Sequence, residues 1–96
     1  MNRQTALSIL TEHKARLVSQ FGVTRLALFG STARDSATDQ SDVDVLVAFD
    51  GPATSARFFG VQFYLEDLFA CPVDLVTDKA LRVEFRSFVE QEAVHV

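Results

Sequence analysis

Residues 26–47 read LALFGSTARDSATDQSDVDVLV, and this stretch decides the fold. One apolar run ends at Gly30, and a second begins as alternating aspartate and valine at 42–45 before it becomes wholly apolar. The pattern predicts two strands, over 24–29 and 42–49, separated by a short polar segment. A strand that alternates at its start and is apolar at its end is typical of a buried strand that opens onto a polar site.

The flanking sequence predicts three helices and one more strand. In the helical stretches apolar residues recur at three-, four- and seven-residue spacings. We therefore expect helices over 3–20, 54–70 and 79–93 and a strand over 73–77. Gly22 is expected to end the first helix, and Thr54 or Ser55 to cap the second.

The connections predict how the strands pair. The 54–70 helix joins the strands at 42–49 and 73–77, which favours a parallel crossover. The strands at 24–29 and 42–49 are joined by only about a dozen residues, which favours antiparallel pairing. We expect an α/β fold of one domain, residues 1–96, with a small mixed β-sheet and helices packed on it.

The sequence also indicates where the phenylalanines of the two later predicted helices lie around each helix. One side of the last helix carries Leu81, Phe85, Phe88, Val89 and Glu92, which gives this helix a clear apolar stripe. Phe59 and Phe63 lie partly off the core stripe of the 54–70 helix. They indicate either a wide apolar helix under a small sheet or a surface patch for another chain.

Composition excludes several classes of protein. Of the 96 residues, 48% are hydrophobic and 23% charged, which is the balance of a globular domain rather than a disordered chain. No apolar run approaches the ~18–20 residues that cross a bilayer, and the first residues lack an export signal, so we expect a cytoplasmic protein without membrane contact. The single cysteine, Cys71, excludes an internal disulfide and a cysteine-based zinc cluster.

The net charge of −4 argues against binding to long nucleic acid. The nine basic residues are scattered, whereas binders of the phosphate backbone need clustered lysine and arginine. A local phosphate site remains compatible with an acidic protein, because one loop and a metal ion suffice to hold a triphosphate.

Gly30 and Ser31 are the candidates for that phosphate site. Gly30 ends a predicted strand, where a glycine allows close approach of the backbone to a ligand. Ser31 begins a short predicted helix, whose free N–H groups carry partial positive charge. The Ser31 hydroxyl would add one more hydrogen-bond donor.

Three aspartates are the candidates for a metal site. Asp42 and Asp44 lie at i and i+2 of a predicted strand, so their side chains leave the same face about 6.5–7 Å apart at the backbone. Asp74 lies among apolar residues in the next strand, where an unpaired charge is costly. Carboxylates are the ligands that Mg²⁺ uses together with substrate phosphates.

Each of these features alone has an ordinary structural explanation: a turn, a solvated strand start or a charge at a strand edge. Together, and in this order, they form the arrangement that two-metal nucleotidyl transfer needs. One ion activates the attacking oxygen, and the other holds the triphosphate and its leaving pyrophosphate.

These residues resemble the minimal nucleotidyltransferases of the DNA polymerase β-like superfamily. The signature of that family is Gly-Ser, ten residues and Asp-x-Asp, and here Gly30-Ser31 is followed by residues 32–41 and then Asp42-Val43-Asp44. The surrounding Leu-Phe-Gly-Ser-x-Ala-Arg, the Val-Asp-Leu-Val around Asp74 and the tail Glu92-Ala93-Val94 also match. One departure is Asp35, where the family often has glycine.

The resemblance implies a polymerase β palm-like nucleotidyltransferase fold and a role for each site residue. The Gly30 backbone and Ser31 would hold the β- and γ-phosphates of ATP. Asp42 and Asp44 would bind two Mg²⁺ ions, and Asp74 would bind the catalytic ion and help to deprotonate the acceptor hydroxyl. Arg34 would reach a phosphate or pair with Asp35 or Asp39, and we favour the pairing.

The small size of the chain suggests the acceptor. Family members of this length resemble antitoxins that neutralise a HEPN-domain ribonuclease toxin by moving AMP from ATP to a toxin tyrosine. Two alternatives stay open: an antitoxin that acts by binding alone, and nucleotidyl transfer to a small molecule, as in the longer aminoglycoside nucleotidyltransferases.

Overall fold

The computed structural model describes residues 2–38 and 41–96, which form a four-stranded sheet with helices on both faces. In chain order the elements are α1 (Arg3–Phe21), β1 (Val23–Phe29), α2 (Gly30–Ala33), β2 (Val43–Phe49), α3 (Ser55–Phe69), β3 (Val73–Thr77), α4 (Val83–Glu92) and β4 (Val94–His95). None of the helices in these two ranges is long and apolar enough to span a membrane.

The sheet has the mixed pairing that the connections predict. Its strand order is β3-β2-β1-β4, with β2 antiparallel to β1 and parallel to β3. The C-terminal strand β4 pairs antiparallel with the free edge of β1. This last strand was not predicted, because two residues are too few to show an alternating pattern.

The two faces of the sheet are covered unequally. Helices α1 and α3 bury one face in the main core, which includes Leu26, Val45 and Leu75. On the other face only a small cluster around Ala27, Leu46 and Val89 of α4 is buried. The end of this second face that lies beyond α4 is therefore open.

Helix α4 differs most from the expectation. It begins at Val83 rather than residue 79, because the Thr77 hydroxyl accepts the Ala80 N–H at 3.1 Å and fixes a turn instead. Its apolar stripe is only partly buried, since Phe85 and Phe88 are 53% and 62% exposed. A single helix on a narrow patch of sheet buries one line of residues, and Val89 occupies it.

The helix ends follow the sequence signals. Gly22 ends α1 in the left-handed conformation, and the Thr54 hydroxyl caps α3 by accepting the Arg57 N–H at 3.2 Å. Ala70 ends α3 with a φ of 55°, a conformation that glycine adopts more easily. On the exposed side of α3, Phe63 stacks on Phe59.

Candidate active site

Three strands place Phe29, Asp44 and Asp74 in one row across the open face of the sheet. Phe29 is opposite Asp44 in the antiparallel β1–β2 pair, and Asp44 is opposite Asp74 in the parallel β2–β3 pair. Residues directly opposite one another share a face of a sheet. We call this set the catalytic row; it lies one step beyond the layer that α4 covers, at the N-terminal ends of β2 and β3.

Gly30 brings the α2 turn against this row. Its φ is 72°, and a Cβ built on it would overlap the Asp44 carboxylate and lie 2.8 Å from Asp44 Cγ. No other residue type fits here without moving the aspartate, since the space and the backbone conformation both require glycine. The predicted Gly-Ser turn and the predicted carboxylates are therefore neighbours in space.

The α2 turn presents polar groups beside Asp44. It is a single helical turn whose Gly30 and Ser31 carbonyls accept the N–H groups of Arg34 and Ser36, at 3.1 and 2.9 Å. The Ser31 side chain is partly exposed, and its hydroxyl makes no hydrogen bond within the described residues. That hydroxyl is free to donate to an anion.

The electrostatics of the row are those of crowded carboxylates. Burial raises the pKa of Asp44 to about 6, and the charge of Asp74 and a hydrogen bond with its carboxyl group act in the same direction. Asp42 adds a smaller upward push on this pKa, while the charge of Arg34 opposes it. A carboxylate held against a second one binds either a proton or a cation between them.

The donor set fits a divalent metal ion. Asp42 immediately precedes β2 and is exposed, as is Asp74, whereas Asp44 is half-buried between them and Gly30. Within 2–38 and 41–96 no three His, Cys, Asp or Glu side chains, these aspartates included, are grouped closely enough to hold a metal ion by themselves. An open carboxylate edge is what Mg²⁺ uses when substrate phosphates and water complete its coordination.

Arg34 pairs with a residue that the sequence did not suggest. Its guanidinium forms an ion pair with Glu92 at the end of α4, not with Asp35; Asp39 lies outside the described residues. Because Glu92 is 58 positions away, no local pattern reveals this contact. Arg34 still acts on the site, since its charge lowers the pKa of Asp44.

Asp35 keeps the backbone geometry that glycine would have. Its φ is 60°, in the left-handed region where aspartate is tolerated better than most residues. Its carboxylate also accepts the Arg3 N–H at 3.1 Å, which ties α1 to the segment after α2. The departure from the family pattern therefore changes a side chain and leaves the turn intact.

Comparison with known proteins points to one family. The profile of the nucleotidyltransferase domain matches residues 10–96. Protein adenylyltransferase MntA of Thermococcus cleftensis is 40% identical over 89 residues, covering 93% of this chain and 90% of the relative. A relative from Methanocaldococcus jannaschii, assigned the same activity by its name, is 36% identical over 89 residues, covering 92% and 91%.

Solved structures show the same fold. A structure described as a minimal nucleotidyltransferase superposes with a TM-score of 0.83 at 34% identity, covering 98% of this chain and 95% of the other. A toxin–antitoxin structure with AMP-PNP superposes with a TM-score of 0.70, covering 99% and 72%. At 17% identity, the second likeness concerns the fold alone.

Proposed function

Since the chain belongs to the nucleotidyltransferase domain family, we propose that it is the antitoxin of a toxin–antitoxin pair and transfers AMP from ATP to a protein hydroxyl. The observation that carries the proposal is the contact between the Gly30 turn and Asp44, with Asp74 beside it in the catalytic row. It joins a phosphate-binding element to a carboxylate pair on an open edge.

The site residues divide the work. The Gly30 backbone and the Ser31 hydroxyl bind the β- and γ-phosphates, and Asp42, Asp44 and Asp74 hold two Mg²⁺ ions. The bound ions supply charge neutralisation for the triphosphate and acidify the attacking hydroxyl. Gly30 keeps the phosphates against the row, because any larger residue would displace Asp44.

The transfer step balances without a further reactant. The acceptor oxygen forms a bond to the α-phosphorus, the bond from that phosphorus to the bridging oxygen breaks, and pyrophosphate leaves. The proton of the acceptor hydroxyl passes to Asp74, which is the exposed aspartate of the row. Asp44 is half-buried and packed against Gly30, so its position is fixed. It thereby sets where the α-phosphorus lies relative to Asp74, the base.

We propose that the acceptor of the AMP group is a protein. The chain carries a net charge of −4, which disfavours a long nucleic acid. The relative MntA is named a protein adenylyltransferase, and a toxin–antitoxin complex shares the fold. We propose a tyrosine of a HEPN-domain ribonuclease as the target; its hydroxyl titrates near ~10, so it needs a base such as Asp74.

The experiment uses the chain purified together with a candidate HEPN-domain toxin. After incubation with ATP and Mg²⁺, intact-mass spectrometry should show whole AMP increments on the partner and none with a chelator. Asp44→Asn and Asp74→Asn should lose the increments, while Asp67→Asn, the same change on the exposed side of α3, should keep them. A partner that is neutralised but unmodified would favour an antitoxin that only binds.

A further inference from the structure

Two ion pairs fix how α4 lies on the sheet. On one flank Glu90 pairs with Arg25 of β1, near the far end of the open face. On the other flank Glu92 pairs with Arg34, just beyond the α2 turn. The second flank of α4 therefore faces the catalytic row.

Phe85 and Phe88 lie on that second flank. At about 100° per residue they fall within roughly 40° of Glu92 around the helix and on the opposite side from Glu90. They precede Glu92 by seven and four residues, which is about 10 Å and 6 Å along the axis. Helix α4 follows the C-terminal end of β3 and continues into β4 beside β1, so it crosses the sheet from β3 to β1. Its flank with Glu92, Phe88 and Phe85 is the one turned towards the ends of β2 and β3 that carry Asp44 and Asp74.

The rings of these two phenylalanines are open. Phe85 and Phe88 are 53% and 62% exposed, and in the described part of the chain neither ring packs on another aromatic ring. Phe59 and Phe63, the other exposed pair, stack on each other with ring centroids 6.1 Å apart. Phe85 and Phe88 thus offer unstacked aromatic faces on the flank of α4 that is turned towards the catalytic row.

We propose that Phe85 and Phe88 are the platform on which the base of the bound nucleotide stacks. This inference rests on the proposed function, since it concerns the same nucleotide. With the phosphates at the α2 turn, the base has to lie within a nucleotide's length of Gly30, and the flank of α4 that carries the two phenylalanines borders that region. Stacking on aromatic side chains is the usual way in which proteins hold a base without reading its edges.

A stacking platform makes a prediction about selectivity. On this flank Glu92, four residues beyond Phe88, is engaged by Arg34, and Glu84, four residues before Phe88, is the other polar neighbour of that ring. Every base has a flat π face, so stacking alone discriminates poorly between bases. We therefore expect GTP to bind within a few-fold of ATP.

The test compares binding of Mg²⁺-ATP, Mg²⁺-GTP and Mg²⁺-tripolyphosphate by calorimetry, with no partner protein. In Phe85→Ala/Phe88→Ala, ATP affinity should fall about tenfold, because base stacking contributes ~1–3 kcal/mol. Tripolyphosphate affinity should change less than twofold. The matched Phe59→Ala/Phe63→Ala protein should bind all three like the wild type, and Phe85→Tyr/Phe88→Tyr should retain ATP.

The outcomes separate this inference from the proposed function. Wild-type protein that binds neither ATP nor tripolyphosphate would contradict the nucleotide site itself. Equal losses for ATP and tripolyphosphate in the alanine protein, or none for either, would overturn the platform alone. Unchanged ATP affinity together with lost transfer to the partner would assign these rings to docking of the acceptor protein instead.

Discussion

At the scale of single residues, Asp44 is expected to affect both the proposed reaction and the stability of the fold. It is half-buried, touches Asp74 and lies against Gly30. The arrangement favours a proton or a metal ion over a bare negative charge. The folded protein without metal should therefore respond to pH through this group, while Glu90, whose pKa is lowered by its hydrogen bond with Arg25, acts in the opposite direction.

We expect the unfolding free energy of the metal-free protein to fall as the pH rises from about 4 to 6. The folded state raises the pKa of Asp44 from 3.8 to about 6, so in this window the native protein holds a proton that the unfolded chain has released. Asp44→Asn should remove this fall. Urea unfolding in chelator, at half-unit steps from pH 4 to 7, measures the difference between wild type and variant.

Asp67→Asn is the control, and it should follow the wild-type curve. Saturating Mg²⁺ should reverse the trend, because the cation replaces the proton and stabilises more at pH 7 than at pH 5. If, in the absence of metal, the unfolding free energy of the wild type minus that of Asp44→Asn rose with pH, the assignment of the raised pKa to Asp44 would be contradicted.

Asp35 supports a second prediction at this scale. Because its φ is positive and its carboxylate accepts the Arg3 N–H, Asp35→Ala should keep the backbone strain and lose the bond. Asp35→Gly loses the same bond but removes the strain. The glycine protein should be more stable than the alanine protein by about 1 kcal/mol in urea unfolding; the reverse order would show that the turn is unstrained.

The sequence was most informative at the residue scale. Local spacing in the sequence predicts five site residues, and the structure brings them together at one end of the sheet: Gly30, Ser31, Asp42, Asp44 and Asp74. Their roles as ligands remain predictions. The Arg34–Glu92 pair was out of reach, because it depends on how α4 crosses the sheet and not on any neighbouring residue.

At the scale of elements, the end of α3 is a position where a substitution should increase the stability of the protein. Ala70 ends α3 in the left-handed conformation that Gly22 supplies for α1. Ala70→Gly should raise the unfolding free energy by roughly 0.5–1 kcal/mol, since removal of the Cβ strain exceeds the added freedom of the unfolded chain. Thermal unfolding should shift up by ~3–5 °C.

The reciprocal change at α1 tests the same reasoning. Gly22→Ala adds a Cβ 2.7 Å from Asp50 Oδ1 in a left-handed backbone, so it should destabilise by more than about 1 kcal/mol. If both variants moved stability in the same direction, the left-handed cap would not be the cause.

Strands β1 to β3 and the first two long helices were predictable to within one or two residues, because caps, glycines and apolar runs mark them locally. Helix α4 was not. Its phenylalanines have a helical period, but periodicity cannot distinguish a stripe that packs on a sheet from one that lines an open site. Only the position of α4 beyond the main core exposes Phe85 and Phe88.

At the scale of the whole molecule, β4 completes the sheet. It covers the edge of β1, where the Val96 N–H donates to the Leu26 carbonyl at 3.1 Å and Lys14 reaches the Val96 oxygen at 2.6 Å. Removal of residues 94–96 should cost about 2 kcal/mol of unfolding free energy, given the hydrogen bonds lost. The bare edge should also promote self-association, which sedimentation velocity detects.

A triple alanine replacement of residues 94–96 is the matched control. It keeps the backbone hydrogen bonds of β4, so it should lose less stability than the truncation and stay monomeric to the same extent as the wild type. Equal stability of the truncated and the 96-residue chains would show that β4 contributes nothing to the fold.

The catalytic row also bears on the order in which the protein becomes competent as it folds. Phe29 and Asp44 meet through a short antiparallel connection, whereas Asp74 arrives through the longer α3 crossover. Closing the shorter loop costs less chain entropy, so the first pairing should form first. The turn and Asp44 should then be assembled before Asp74 joins them, so we expect substitutions in β1 and β2 to slow folding and substitutions in β3 mainly to speed unfolding.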